Sequence, residues 1–213
     1  MNNPKPSSER TFFEQIKRIQ ALAEIGLEYN HSNYDKERYA EIQDICFDLL
    51  SVLTEIPVPK IRPVILEQNG YKTPKVDVRA VVFNREGKIL LVQEKVDGCW
   101  ALPGGWADVG YTPSQIAEKE CLEEAGLAVK ASRLLAVMDK TAQHMPPEFE
   151  CVYKLFIGCD PMGETVCAGE ETLDAKWYGE DELPDLSTPR NLESQIHLMF
   201  RYYRDEMTSV FLD

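Results

Sequence analysis

The spacing of apolar residues changes once along this chain, near residue 70, and that change limits the fold more than any other feature. Before it, apolar residues recur every three or four positions. Phe12, Ile16, Ile19, Leu22 and Ala23 make one stripe, and Gly26 is placed to end that helix. A second stripe, Ile42, Ile45, Cys46, Leu49, Leu50 and Leu53, starts from about Asp35 and runs up to the helix breakers Pro57 and Pro59. Ile61 to Gln68 reads as a third, shorter helix. After the Asn69-Gly70 turn and Pro74 the period drops to two: Val76, Val78, Ala80 and Val82 alternate with Asp77, Arg79, Val81 and Phe83, which predicts a strand. The turn Asn84 to Gly87 leads into Lys88 to Gln93, the expected hairpin partner. Leu134 to Met138, Cys151 to Ile157 and Ala175 to Tyr178 read as later strands, and a helix from about Leu192 to Arg204 closes the chain. The organisation is therefore a helical subdomain over 1–70, whose stripes need either the body of the protein or a second subunit to cover them, followed by an α/β domain over 71–213.

Charge and composition remove several classes of function. With 23 basic against 36 acidic residues the formal charge is −13, the wrong sign for gripping nucleic acid through its phosphates. No stretch approaches the roughly 18 to 20 apolar residues that span a bilayer, and Met1 to Arg10 is polar with no signal-peptide core, so a soluble, cytoplasmic protein is expected. The six cysteines contain no C-x-x-C pair and the three histidines lie far apart, a spacing that argues against zinc and for free thiols.

The segment with chemistry in it is Trp100 to Leu127, WALPGGWADVGYTPSQIAEKECLEEAGL. Its second half writes its own helix limits: Thr112 as cap, Pro113 at the first helical position, Gln115 to complete a capping box and Gly126 for the left-handed end. At about 100° per residue, Glu120, Glu123 and Glu124 share an arc of roughly 100°. Like charges at these spacings repel, so this face calls for bulk solvent or a cation. The side-chain-poor turn Leu102-Pro103-Gly104-Gly105 favours the cation, because backbone carbonyls there can approach a hard divalent ion that also keeps positions open for water and phosphate.

From Gly105 through Tyr111, Lys119, Glu120, Cys121, Leu122, Glu123, Glu124 and Gly126 to Leu127, the register resembles the box of the Nudix hydrolases, G-x5-E-x7-R-E-U-x-E-E-x-G-U, without insertion. The resemblance extends over about residues 74 to 205. It implies an α/β/α sandwich with a mixed sheet, and a Mg²⁺-dependent (alternatively Mn²⁺-dependent) hydrolase that cleaves a nucleoside diphosphate linked to another group. Carried over position by position, it makes Glu120, Glu123 and Glu124 metal carboxylates, with Glu120 also a catalytic candidate and the Gly104 carbonyl a further ligand. Glu171 is the first candidate for proton acceptor, and Glu148 and Glu150 compete for that role. Arg79, Lys95 and, more weakly, Arg190 are the phosphate-binding candidates, although Arg79 could equally pair with Asp77 on its own strand. Trp106, Tyr111 and Trp100 are candidates to stack on a base or sugar. Tyr111 and Lys119 depart from the family's Glu and Arg, so the charge pair they would form is changed at both ends. The helical segment ahead of the box is similar to a bacterial branch with ADP-ribose and CDP-choline pyrophosphatases, which implies one of those small nucleotides as substrate; with its apolar stripes to cover, that segment is expected to form a homodimer. An RNA-directed hydrolase and a nucleotide sensor without turnover are the other readings.

Overall fold

The computed structural model describes residues 12–29, 32–66, 73–143, 145 and 150–213. These fall into two compact units, one formed by the described residues up to Thr73 together with Glu150, the other by the rest from Pro74 onward. The Asn69-Gly70 turn lies outside the described residues.

The first unit holds α1 (Phe12–Tyr29), α2 (Asn33–Thr54) and α3 (Val58–Leu66) around a small core of Ile16, Cys46, Phe47, Leu50 and Ile61. Gly26 does not end α1. It stands inside the helix with the Tyr39 ring against it, where a Cβ would come within 2.5 Å of the ring, so its smallness serves helix packing. The third helix starts earlier than expected, at Val58, because Pro59 suits a first turn, and it carries Pro63 inside. The two long stripes divide between two faces. Ile16, Ala23, Cys46 and Leu50 are buried, whereas Phe12, Ile19, Leu22, Ile45, Leu49, Val52 and Leu53 remain exposed.

The second unit contains two sheets. The larger is mixed, in the order β4 (Gly104–Trp106), β1 (Lys75–Val82), β6 (Val152–Pro161), β5 (Val129–Asp139), β8 (Phe211–Leu212); β1 runs parallel to β6 and antiparallel to β4. The smaller joins β3 (Trp100–Ala101), β2 (Ile89–Glu94) and β7 (Thr172–Tyr178), all antiparallel. The expected hairpin between β1 and β2 is thus reduced to one bridge, Phe83 to Ile89. Each strand has two hydrogen-bonding edges; those of β1 are taken by β4 and β6, and those of β2 by β3 and β7. The helix α4 (Pro113–Ala125) packs Ile116, Ala117, Cys121 and Ala125 onto Val78, Ala80, Val82, Leu90 and Val92. On the other side, α5 (Glu193–Tyr203) packs Ile196, Met199 and Phe200 onto Val81, Ile89, Leu91 and Phe156. Helices therefore cover both faces of β1, which explains why its last six residues are all buried.

Candidate active site

The caps of α4 form as its sequence directs. Thr112 and Gln115 make a reciprocal capping box, and Gly126, at φ 62°, returns its N–H to the last turn. The helix is thereby held where its carboxylates meet β4. Gly104 has φ +151°, and a Cβ there would stand 2.0 Å from the Val78 carbonyl oxygen, so the strand can lie against β1 only with glycine at this point. The Gly104 N–H donates to Glu124 Oε2 at 2.9 Å. A Cβ on Gly105 would be 3.5 Å from the Glu120 carboxyl, so two carboxylates one helical turn apart face two consecutive glycines.

Glu124 is 6% exposed. Burial pushes its carboxyl up to about 8; the Gly104 amide and the Arg79 charge pull against this, and Glu94 and Glu120 add to it. No cation pairs directly with it among the described residues. Glu123 is more open and shares Lys119 with Glu120, the ammonium lying 3.0 Å from Glu123 and 3.2 Å from Glu120. These two contacts raise the Lys119 pKa, first through Glu123 and then Glu120. As the side chains stand, no three His, Cys, Asp or Glu groups converge on a metal position among the described residues; Lys119 supplies the positive charge to Glu120 and Glu123. Tyr111 sits half exposed in the preceding turn.

The segment before β7 is tied to the end of α4. Gly169 N–H and the Thr172 hydroxyl both donate to the Glu124 carbonyl, at 3.2 and 2.7 Å, and Cys167 N–H donates to the Ala125 carbonyl. A Cβ on Gly169 would lie 1.7 Å from the Glu123 carbonyl oxygen, so glycine permits this close approach. These bonds tie the segment that carries exposed Glu171 to the C-terminal end of α4. Glu148 lies outside the described residues, and Glu150 belongs with the helical unit, its carbonyl accepting from Lys17 Nζ at 2.9 Å.

The cations divide by environment. Arg79 is buried and committed to structure: Nε donates to both Asp77 oxygens at 3.0 and 3.1 Å, and Nη1 to the Leu102 carbonyl at 3.1 Å. Lys154, on β6, also pairs with Asp77. Burial pushes the Asp77 carboxyl up, but the charges of Arg79 and Lys154 outweigh it and hold Asp77 below its ordinary value. Lys95 Nζ donates to the Glu170 carbonyl. Trp106 is half exposed with Lys75 Nζ 5.5 Å from its ring centre, whereas Trp100 packs edge-on to Tyr178 in the core, which removes it from the stacking candidates.

Glu94 was not visible as a site residue in the sequence. It is buried at the end of β2, and Arg190 Nε lies 2.8 Å from its Oε1. Burial raises its pKa against the opposing pull of Arg190 and Arg79, with Asp97 and Glu171 adding to the rise. The only local signal was an acid ending the apolar run Ile89 to Gln93.

Two family models match the chain: a UDP-X-like N-terminal oligomerisation domain over residues 10–65 and the Nudix domain over residues 73–199. A Bacillus subtilis protein provisionally named an ADP-ribose pyrophosphatase is 41% identical over 196 residues, covering 91% of this chain and 92% of that one. A crystal structure of a UDP-X diphosphatase superposes with TM-score 0.61 at 31% identity, covering 95% of this chain and 98% of that one. An ADP-ribose pyrophosphatase from Streptococcus suis superposes with TM-score 0.59 at 38% identity, covering 66% of this chain and all of the other.

Proposed function

We infer the reaction from one premise: this chain belongs to the Nudix family of hydrolases, which act on phosphoanhydride bonds. Its substrate is ADP-ribose, cleaved between the two phosphorus atoms with Mg²⁺ bound; CDP-choline and UDP-linked compounds stand behind it in the same chemical class. The relative of 41% identity across nearly the whole chain supports ADP-ribose.

The observation that carries this reading is Glu124, a carboxylate buried beside the Gly104 turn, held by a single backbone amide and pushed toward neutrality by its burial. Glu120, beside Gly105, and the glycine cradle at Gly104 complete a set of hard oxygen donors that suits Mg²⁺. Glu120, Glu124 and the Gly104 carbonyl would hold the ion, with Glu123 joining as Lys119 gives way. When bound, the ion neutralises diphosphate charge and acidifies water. Glu171 accepts the proton of the attacking water from the segment anchored on α4. Arg79 is a buried counter-charge that faces Glu124 and Glu94 and orients the turn through Leu102. Lys95, Trp106 and Tyr111 line the approach, the aromatic pair offering faces to a base.

The helical unit, with Phe12, Ile19, Leu22, Ile45, Leu49, Val52 and Leu53 exposed, forms a homodimer through that surface.

The test is phosphate release, coupled to a phosphatase, from ADP-ribose, CDP-choline, UDP-sugars and 5′-triphosphorylated RNA, with Mg²⁺ and then EDTA. EDTA-sensitive turnover strongest with ADP-ribose is expected. Turnover of the RNA alone would overturn the substrate class, and a loss of less than about tenfold in Glu171→Gln would remove Glu171 as base.

A further inference from the structure

A site crowded with carboxylates repels the diphosphate it must bind. Glu120, Glu123, Glu124, Glu94 and Glu171 all belong to this end of the unit, so a metal ion alone leaves much negative charge facing an anionic substrate. Arg79 is buried on Asp77, and the Lys95 ammonium is turned to a backbone carbonyl. Arg190 is placed differently. Its side chain is 25% exposed while its partner Glu94 is 10% exposed, so a buried anchor holds a side chain that solvent can reach.

We propose that Arg190 binds the substrate's diphosphate and that Glu94, with Asp97 and Ser187, is the positioning set that aims its guanidinium. This rests on the pyrophosphohydrolase reading above. Two nitrogens of the guanidinium are engaged: Nε lies 2.8 Å from Glu94 Oε1, and Nη1 donates to the Ser187 hydroxyl at 3.0 Å and to Asp97 Oδ2 at 3.4 Å. Ser187 in turn donates to the same Asp97 oxygen at 2.7 Å. Nη2 has no hydrogen bond among the described residues. A planar guanidinium held at Nε and Nη1 offers Nη2 to a phosphate oxygen with little rotational entropy left to lose. A single carboxylate would satisfy the charge; two carboxylates and a hydroxyl fix its direction.

The segment that carries Arg190 is also stitched to the catalytic turn. Trp100 N–H donates to the Asp185 carbonyl at 2.9 Å, Ser187 N–H to the Trp100 carbonyl at 2.8 Å, and Leu102 N–H to Asn191 Oδ1 at 2.9 Å. Leu102 is thus held by Asn191 at its amide and by Arg79 at its carbonyl, two residues before Gly104. On the far side Glu94 lies within electrostatic reach of Arg79, Glu171 and Glu124. Strand β2, strand β3 and the segment before α5 therefore bring Arg190 to the wall that the metal carboxylates share.

The experiment is titration calorimetry of inorganic pyrophosphate with Mg²⁺ into the full chain and its Arg190→Gln, Arg190→Lys, Glu94→Gln and Glu94→Gln/Arg190→Gln variants. Mn²⁺ binding alone and the melting temperature are followed beside it. Arg190→Gln should weaken pyrophosphate about tenfold or more, Arg190→Lys less, with Mn²⁺ affinity and melting unchanged. Glu94→Gln should weaken it by about three- to fivefold, and the double variant should be no worse than Arg190→Gln, because both act through one guanidinium. Equal pyrophosphate binding by the unaltered protein and Arg190→Gln, or none by either, overturns the proposal. A Glu94→Gln loss that adds in full to that of Arg190→Gln overturns the positioning role. Turnover of the nucleotide panel is read separately: if the unaltered protein hydrolyses ADP-ribose but Arg190→Gln binds pyrophosphate normally, the reaction stands and this inference falls. If pyrophosphate binding depends on Arg190 but no compound is hydrolysed, the inference stands and the reaction falls.

Discussion

The helical unit and the catalytic unit solve opposite problems. In the first, three helices bury five apolar side chains in a common core and leave at least as many on the surface. In the second, α4 is capped at both ends, and the sheet beneath it buries charges: Asp77, Arg79 and Lys154 are each less than a tenth exposed. One unit has apolar surface still to cover, and the other has charges that must stay paired. Apolar exposure in one region and buried paired charge in the other should make substitutions sort accordingly.

The largest effect is expected at the buried charges. Asp77→Asn leaves Arg79 and Lys154 facing each other without their carboxylate and should destabilise the catalytic unit by about 3–5 kcal/mol, read from urea unfolding; a change under about 1 kcal/mol would mean this cluster behaves like a surface pair. Because Asp77 is held below its ordinary value, its stabilisation is complete above the unfolded carboxylate range and is lost as pH falls through the folded value.

Next comes Glu124. Glu124→Gln should lower metal-dependent kcat by about a hundredfold or more without unfolding the protein, and full turnover in saturating Mg²⁺ would remove it from the metal set. Its sign with pH is opposite to that of Asp77. The carboxyl is raised to about 8, so in EDTA its contribution is fully present below the ordinary carboxylate range and disappears as pH rises through about 8. The melting temperature of the metal-free protein should fall across that interval, and Glu124→Gln should flatten the fall.

Charging the helical surface sharpens the comparison. Leu22→Glu or Leu49→Glu should weaken the proposed dimer by about ten- to a hundredfold in dissociation constant, as sedimentation equilibrium would show, while sparing turnover per monomer. Val109→Glu, in an exposed turn of the catalytic unit, is the control and should alter neither mass nor melting. The smallest effect belongs to Lys119→Arg, where a fork replaces a point charge between Glu120 and Glu123. Its stability should move by less than about 0.5 kcal/mol, measured by thermal melting with and without Mg²⁺.

What could be read before folding follows from the range of the forces involved. The limits of α4 were legible because Thr112, Gln115 and Gly126 act on backbone groups within a few residues of themselves. Its three carboxylates were legible because helical geometry alone sets their common face. Strand positions followed from period two, but strand partners did not, and β2 paired with β7 instead of its neighbour β1. Gly26 looked like a stop signal because the Tyr39 ring against it lies on another helix.

The sequence by itself determined the family, the capped helix α4 with its carboxylate face and the glycine turn, since each is written in contiguous residues whose interactions are local. Only the tertiary structure decided that Arg79 belongs to Asp77, that Lys119 is shared by Glu120 and Glu123, and that Glu94 anchors Arg190. Coulomb and hydrogen-bond energies depend on distance through space and on burial. For Asp77 with Lys154 and Glu94 with Arg190, neither was set until the strands had found their partners.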